Sequence, residues 1–363
     1  MRSFLFGLRV LKQSEETTMK KKVLALLLAA CMLMTLLAAC GSSDDEDETV
    51  SESVSSQEDE ENTDADAENT EDAEGEDEEE EENYDTGDAS LDDPRNADDI
   101  GETELLVVSF GTSYNDSRRL TIGAIEAAME EAFPDYSVRR AFTSQIIIDH
   151  VYSRDGEVID NVTEALDRAV DNGVKNLVVQ PTHLMSGYEY NDLVDEIAQY
   201  SDAFEQISVG DPILTSEEDF QIVMEAIVAA TAEYNDGETA ICFMGHGTSA
   251  DSNGVYAQMQ EYLTEAGYEN YYIGTVEATP SVEDVIAAVD EGEYTKVVLR
   301  PLMIVAGDHA NNDMAGDDED SWKSQFEAAG YEVECVVEGL GQLEEIQQLL
   351  VSHAQAAIDA LAD

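Results

Sequence analysis

Short apolar runs alternate with segments of helical periodicity from residue 104 to the end of the chain. In the first half, strand-like runs such as ELLVVSF and NLVVQPTHLM lie on either side of the helical segment VIDNVTEALDRAVDNG. The second half repeats this alternation, with TAICFMG and KVVLRPLMIV as strands and GVYAQMQEYLTEAG as a helix. Continuous apolar strands between helices are typical of parallel sheets covered on both faces, so the pattern predicts an α/β fold.

The two halves also share short motifs. SFGTSYNDS at 109–117 matches GHGTSADSN at 245–253, and QPTHLMSGYEYND at 180–192 matches RPLMIVAGDHANN at 300–312. Two motifs in the same order indicate an internal duplication. We therefore predict two similar lobes of parallel sheet flanked by helices, residues 101–235 and 236–363, with a ligand cleft between them.

The N-terminal region departs from this pattern. Met19 is followed by three lysines and then by the apolar run VLALLLAACMLMTLLAAC, which ends at Cys40. This arrangement predicts an export signal within residues 1–40. Because LAAC resembles a bacterial lipobox, Cys40 is the predicted lipidation site of an exported lipoprotein that is anchored to the membrane on its extracytoplasmic side. An uncleaved spanning helix is the alternative, since the run approaches spanning length.

Acidic residues dominate the segment that follows and much of the rest of the chain. Residues 41–100 have few large apolar side chains and many aspartates and glutamates, so we predict a disordered linker there. The formal net charge of the whole chain is -66. Such a chain repels nucleic acid and attracts cations, which excludes a nucleic-acid partner.

Comparison of the two halves isolates three residues that the shared pattern does not require. The second half has His246, Glu277 and His309 where the first half has Phe110, Ala141 and Glu189. Each of the three follows a predicted strand, and the carboxyl ends of the strands are where open α/β sheets bind ligands. Imidazole and carboxylate groups suit a divalent transition metal ion, so the three residues are the predicted metal ligands.

Other residues near the predicted strand ends are candidates for binding a substrate. Few basic residues occur in so acidic a body, and an anionic substrate needs local guanidinium groups. The arginine candidates are Arg118, Arg119, Arg139, Arg140 and Arg300. Ordinary ion pairs with the many acidic residues are the alternative for them. His183 and Glu189, in the first half, are further candidates for lining the cleft.

Six segments together carry a family resemblance: VSFGTSYNDSR, AFTSQIII, QPTHLMSGYEYNDL, FMGHGTSADSN, VEATPS and RPLMIVAGDHANNDMAG. They resemble the anaerobic-type sirohydrochlorin cobaltochelatases, relatives of ferrochelatase among the class II tetrapyrrole chelatases. The resemblance runs from residue 104 to the C-terminus. It implies two lobes around a tetrapyrrole cleft and a metal site formed by His246, Glu277 and His309.

The resemblance also implies an activity. This is the insertion of Co²⁺ into a sirohydrochlorin-type macrocycle with release of two protons, as in anaerobic cobalamin biosynthesis, without an organic cofactor. We expect His246 to be the principal metal ligand and base, with Glu277 and His309 completing the site. Fe²⁺ and Ni²⁺ accept the same ligands, so the choice of Co²⁺ comes from the resemblance alone.

Export raises two alternatives, because sirohydrochlorin is made in the cytoplasm. One is an extracytoplasmic lipoprotein that binds a tetrapyrrole, haem or metal ions on a chelatase scaffold without inserting the metal. The other is a nonspecific cation buffer. The His/Glu/His set favours a chelatase or a specific binding protein over a buffer.

Overall fold

The computed structural model describes residues 86–98 and 101–361. The strands of this part form two four-stranded parallel sheets, with the orders β2-β1-β3-β4 and β6-β5-β7-β8. Their bounds are β1 Thr103–Ser109, β2 Ser137–Phe142, β3 Asn176–Pro181, β4 Gln206–Val209, β5 Thr239–Gly245, β6 Tyr271–Thr275, β7 Lys296–Pro301 and β8 Glu332–Cys335. The identical strand orders confirm the predicted α/β fold of two similar lobes.

Ten α-helices of the described part flank these sheets. They are α1 Asn115–Leu120, α2 Ile122–Ala132, α3 Gln145–Asp155, α4 Val162–Asp171, α5 Tyr188–Ala198, α6 Glu217–Ala230, α7 Gly254–Glu265, α8 Val282–Val289, α9 Trp322–Ala329 and α10 Glu344–Leu361. Reciprocal side-chain caps fix three of the helix starts. At α8, for example, the Ser281 side chain accepts from the amide of Asp284, and the Asp284 side chain accepts from the amide of Ser281.

Alternate residues of the central strands pack into different apolar clusters. Leu105 and Val107 of β1 share one cluster with Ile241 and Phe243 of β5, so the two lobes have a common core. Val108 points to the other face of the first sheet, where a separate cluster covers it. Both faces of each central strand are therefore buried, which explains the continuous apolar runs in the sequence.

The C-terminal helix α10 packs on the first lobe. It contacts strands β3 and β4 and helices α2 and α6. Ser208 Oγ in β4 donates to the carbonyl oxygen of Ala357 at 2.8 Å, and buried Ile346, Leu349 and Leu350 join the shared core. The prediction that all of residues 236–363 belong to the second lobe is wrong for this helix, because its apolar side covers the first lobe.

Residues 86–98, which we call the strap, pack against the first lobe. The carbonyl oxygen of Thr86 accepts from the Asp116 amide at 2.8 Å, and Asn96 Nδ2 donates to the carbonyl oxygen of Val158 at 2.8 Å. The prediction of a linker as far as residue 100 is therefore wrong for the strap, whose polar groups bind the lobe.

The remaining N-terminal predictions concern other parts of the chain. The predicted signal segment, Cys40 and the linker as far as residue 85 lie outside the described residues. Within residues 86–98 and 101–361, no helix is both long enough and apolar enough to cross a membrane.

Candidate metal centre

His246 follows strand β5 between two glycines that each have a steric role. A Cβ atom at Gly245 would lie 2.1 Å from the Tyr256 ring. Gly247 has φ +94°, and a Cβ atom there would lie 2.8 Å from the Ala278 amide nitrogen. The sequence GHG therefore lets the backbone on both sides of His246 approach its neighbours closely.

Backbone hydrogen bonds place Glu277 beside His246. After strand β6, the Val276 amide donates to the carbonyl oxygen of Gly245 at 3.0 Å, and the Glu277 amide donates to that of His246 at 2.9 Å. The loop is also tied to the turn before α7, because Asn253 Nδ2 donates to the carbonyl oxygen of Thr279 at 2.9 Å. The position of Glu277 is thus set by main-chain contacts, which leaves its carboxylate available.

His309 lies at the start of a π-helical turn, Ala310–Met314, in the loop after strand β7. Its Nδ1 is 2.7 Å from Asp313 Oδ2. Turns of this kind often occur at functional sites, where the wider backbone ring redirects a side chain. Asp313 is not among the predicted site residues, although its spacing of four residues from His309 is visible in the sequence.

The three predicted ligands come together. His246 Nε2 lies 3.7 Å from Glu277 Oε1, and the His246 and His309 ring centroids are 4.7 Å apart with the ring planes at 74°. One ligand atom from each of the three residues lies within 4.8 Å of the others. Two ligands of one transition metal ion lie at most about 4.2 Å apart, so a small inward movement suffices for coordination.

Hydrogen bonds determine which nitrogen each imidazole offers. His246 Nδ1 is 2.8 Å from the carbonyl oxygen of Gly247, and His309 Nδ1 faces the Asp313 carboxylate. Both partners can only accept, so each Nδ1 carries the proton. Each Nε2 of a neutral ring therefore has its lone pair free for a metal ion.

The charge around His309 favours its protonated form. Burial disfavours the imidazolium, but the hydrogen bond and charge of Asp313 and the charges of Glu277 and Asp308 outweigh it and raise the pKa of His309. Burial also raises the pKa of Asp308. The side chains of His246 and Glu277 are 48% and 55% exposed, so a metal ion can reach the site from solvent.

The first lobe has a different set of residues at the same places. There the Thr143 amide donates to the carbonyl oxygen of Ser109, and the Ser144 amide donates to that of Phe110. The amides of Val276 and Glu277 make the same two hydrogen bonds in the second lobe. The first-lobe counterpart of Glu277 is therefore Ser144, and the predicted equivalence with Ala141 is wrong. Ala141 is fully buried within β2. Counting along the sequence gives the wrong counterpart because the segments between the first two strands differ in length in the two lobes.

Exposed apolar side chains follow the first three strands of the first lobe. Phe110, Ile146 and Tyr188 come after β1, β2 and β3 and are 41%, 54% and 52% exposed. We call these three residues the apolar edge. His246, Glu277 and His309 follow the corresponding strands β5, β6 and β7, and within the apolar edge Phe110 is the direct counterpart of a candidate ligand, His246. The apolar edge has no signature in the sequence, because exposure is not visible in a strand pattern.

His183 and Glu189 lie close together in the loop after β3. His183 Nε2 is 3.5 Å from Glu189 Oε2, and the two side chains are 8% and 51% exposed. Both His183 ring nitrogens are buried without a hydrogen bond. The structure thus pairs the two candidates from the sequence analysis, with the carboxylate towards solvent.

The candidate arginines are mostly internal. The four side chains of Arg118, Arg139, Arg140 and Arg300 are between 0% and 5% exposed and bind carboxylates or carbonyl groups of the chain itself. Arg119 is 35% exposed and pairs with Asp116 at 3.0 Å. The hypothesis that these residues bind a substrate is wrong for the four buried ones, because their guanidinium groups are enclosed by the protein.

Fold and site together define a two-lobed α/β protein with a solvent-accessible His/Glu/His cluster that could hold a divalent metal ion. The family model for the cobalt chelatase CbiK matches residues 103–359. The chain is 37% identical over 255 residues to a sirohydrochlorin cobaltochelatase of Salmonella typhimurium, covering 70% of this chain and 96% of that protein. It is 30% identical over 261 residues to sirohydrochlorin cobaltochelatase CbiKC of Nitratidesulfovibrio vulgaris, covering 71% and 92%. The chain belongs to the CbiK cobalt chelatase family.

The chain is also similar to solved structures of lower sequence identity. SirB from Bacillus subtilis with Fe³⁺ has a TM-score of 0.49 and 12% identity to this chain, covering 72% of this chain and 98% of SirB.

Proposed function

We propose that this protein is a sirohydrochlorin cobaltochelatase, which inserts Co²⁺ into a sirohydrochlorin-type tetrapyrrole and releases two protons. The observation that carries the proposal is the convergence of His246, Glu277 and His309 in a member of the CbiK family. Two neutral imidazoles and one carboxylate form a ligand set with a single negative charge. Such a set binds a divalent ion less tightly than several anionic ligands would, which favours its later transfer to four pyrrole nitrogens. Because Fe²⁺ and Ni²⁺ suit the same donors, the preference for Co²⁺ rests on the family.

The donor groups are also the bases that the reaction needs. Each pyrrole proton must leave as the metal enters, and an imidazole or carboxylate within hydrogen-bond reach can accept it. His246 is half exposed and lies beside Glu277, so this pair is the proposed first acceptor. His309 is held by Asp313, and we assign it to fixing the ion while protons leave.

The apolar edge is the proposed contact surface for the macrocycle. A tetrapyrrole is a flat ring with apolar faces and a carboxylate periphery, so it needs an aromatic or aliphatic surface next to the metal donors. Phe110 supplies such a surface at the place that corresponds to His246. Arg119, whose side chain is partly exposed, and the His183–Glu189 pair are the remaining candidates for contacts with the periphery.

An anaerobic assay of the full chain with sirohydrochlorin and Co²⁺ tests the proposal, with metallation followed by absorbance. The wild-type chain should metallate the macrocycle far faster than the uncatalysed reaction, and His246→Ala and His309→Ala should each lose most of the rate. His150→Ala, on helix α3 outside the cluster, should keep it. Stoichiometric tetrapyrrole binding without faster metallation would instead favour the binding lipoprotein, and normal rates in both ligand variants would refute the site.

We further propose that the chain is exported and lipidated at Cys40. The support is the lysine-rich start, the apolar run and the LAAC sequence. In the native host, wild-type protein should fractionate with the membrane, and Cys40→Ser should release it from its lipid anchor. A wild-type protein found in the soluble cytoplasmic fraction would contradict export.

A further inference from the structure

The strap contributes a buried carboxylate to the first lobe. The Asp92 side chain is 3% exposed, and its Oδ2 accepts from Arg118 Nε at 2.7 Å. Arg140 donates to both Asp92 oxygens, at 2.6 and 3.1 Å. Arg118 belongs to helix α1 and Arg140 to strand β2, so one carboxylate joins two elements of the lobe. The strap itself precedes the region that matches the family, residues 103–359.

Both guanidinium groups depend on this carboxylate. The side chains of Arg118 and Arg140 are fully buried, and each has one further carboxylate partner, Glu157 for Arg118 and Glu126 for Arg140. Removing one partner of a buried ion pair leaves an uncompensated charge in a medium that solvates it poorly. Loss of the Asp92 charge should therefore displace the guanidinium groups rather than leave them in place.

Arg118 in turn holds the loop between β1 and α1. Its Nη1 donates to the carbonyl oxygen of Thr112 at 3.2 Å, and its Nη2 donates to Asn115 Oδ1 at 2.7 Å. Thr112 belongs to the GTS sequence that follows strand β1. A displaced Arg118 would thus release the middle of this loop and the first residue of helix α1.

The loop that carries His309 rests on the same part of the first lobe. The Ala306 amide donates to Ser117 Oγ at 2.9 Å, and a Cβ atom at Gly307 would lie 3.1 Å from Thr112 Oγ1. Val305 packs against the apolar cluster of the first lobe that contains Phe142 and Ile148. The residues immediately before His309 are therefore located by the first lobe, whereas His246 and Glu277 are located by the second.

We propose that Asp92 is a positioning residue for the metal centre. Through Arg118 it fixes the β1–α1 loop and the start of helix α1, whose Thr112 and Ser117 contact Gly307 and Ala306 and hence fix the position of His309 relative to His246. This inference rests on the proposed metal site. It adds a determinant of metal affinity that lies in the strap, outside the metal site itself.

Co²⁺ titration of the full chain, read by the visible absorption of the bound ion, tests this role. Asp92→Asn should weaken Co²⁺ binding by about tenfold and change the absorption band, as loss of a supporting contact does at metal sites. Asp92→Glu keeps the charge and should restore most of the affinity. Asp98→Asn is the matched control on the strap, because Asp98 is 71% exposed and pairs with Arg168 of α4, away from this chain of contacts. It should bind Co²⁺ as the wild type does.

Two further variants separate the possible failures. Ser117→Ala removes the hydrogen bond with Ala306 and leaves the ion pairs of Asp92 intact. It should also weaken Co²⁺ binding, so it tests the same role if Asp92→Asn does not fold. Wild-type affinity and spectrum in folded Asp92→Asn, or in Ser117→Ala, would overturn the positioning role, as would an equal loss in Asp98→Asn. If His309→Ala also binds Co²⁺ normally, the proposed metal site itself is wrong.

Discussion

The Glu277 amide donates a hydrogen bond to the carbonyl oxygen of His246 at 2.9 Å, and Ser144 makes the same contact with Phe110 in the first lobe. One backbone geometry therefore presents two metal donors in one lobe and an aromatic ring with a hydroxyl in the other. In the proposed reaction, the second lobe holds the ion and the first lobe contacts the ring.

Replacement of Gly247 tests the close packing that places Glu277. In Gly247→Ala, a Cβ atom would meet the Ala278 amide at 2.8 Å in a backbone conformation with φ +94°. We expect a loss of about 1–3 kcal/mol in the free energy of unfolding, measured by denaturant titration, and weaker Co²⁺ binding. Gly254→Ala is the control, because no atom lies within 4 Å of its Cβ position. Equal stability of the two variants would contradict the steric argument.

The Asp313 carboxylate should set the pH range of metal binding. Its hydrogen bond and charge contribute to raising the pKa of His309, and Co²⁺ competes with the proton for Nε2. Affinity should therefore fall as pH drops through this raised pKa. In Asp313→Asn, the midpoint should move to lower pH, while affinity at high pH should decrease by about tenfold because the imidazole loses its supporting charge.

Co²⁺ titrations at a series of pH values measure both effects. Asp317→Asn is a matched control, since Asp317 is 94% exposed and pairs with Lys323. A midpoint in Asp313→Asn that equals the wild-type midpoint would show that His309 does not control the pH dependence.

Phe110→Ala tests the apolar edge. Loss of the aromatic contact should raise the KM for the tetrapyrrole by about tenfold, since aromatic contacts contribute on the order of 1 kcal/mol beyond their buried area. Co²⁺ affinity should stay unchanged, because Phe110 lies in the lobe that lacks the metal ligands. Val170→Ala, which shortens an exposed apolar side chain on α4, is the control. An unchanged KM in Phe110→Ala would place the macrocycle elsewhere.

Glu104 should limit stability at neutral pH and above. It is 1% exposed, its Oε2 has no hydrogen bond, and burial raises its pKa to about 7 despite the charge of Arg139. A carboxyl group whose pKa is higher in the folded state stabilises the fold below its unfolded pKa, and this contribution is lost as pH rises to about 7.

Glu104→Gln should therefore be more stable than the wild type at pH 8, by about 3 kcal/mol at most, with no gain near pH 4. Denaturant titrations at the two pH values measure the difference. Glu102→Gln, at a side chain that is 67% exposed, should show no such pH-dependent gain. A destabilised Glu104→Gln at pH 8 would mean that the ionised carboxylate is stabilising.

The features that sequence predicts here are those with a local signature. The two-lobed α/β fold and the His/Glu/His set follow from apolar runs, from the duplication and from the rule that ligands bind at the carboxyl ends of parallel strands. The structural equivalence of Glu277 and Ser144 does not follow from the sequence, because it depends on backbone hydrogen bonds across segments of unequal length. Motif spacing alone suggested Ala141.

Charged residues show a second limit of sequence patterns. An arginine near a strand end looks the same whether it faces a substrate or a buried acid, so the sequence leaves both interpretations open for Arg118 and Arg140. Their partner Asp92 lies in a segment whose composition is that of a disordered linker. The ion pairs of Asp92 with Arg118 and Arg140 depend on the three-dimensional packing of the chain. The packing of helix α10 on the first lobe depends on it in the same way.

Transfer of limiting Co²⁺ tests the central claim most directly. The full chain, loaded anaerobically with less than one Co²⁺ per molecule, is mixed with sirohydrochlorin, and the absorbance of the metallated ring is followed. The account predicts that the wild-type chain transfers all of its Co²⁺ rapidly, and that His246→Ala and His309→Ala metallate only at the uncatalysed rate. Equal transfer by the wild type and both variants, or retention of Co²⁺ by the wild type, would contradict insertion from this site.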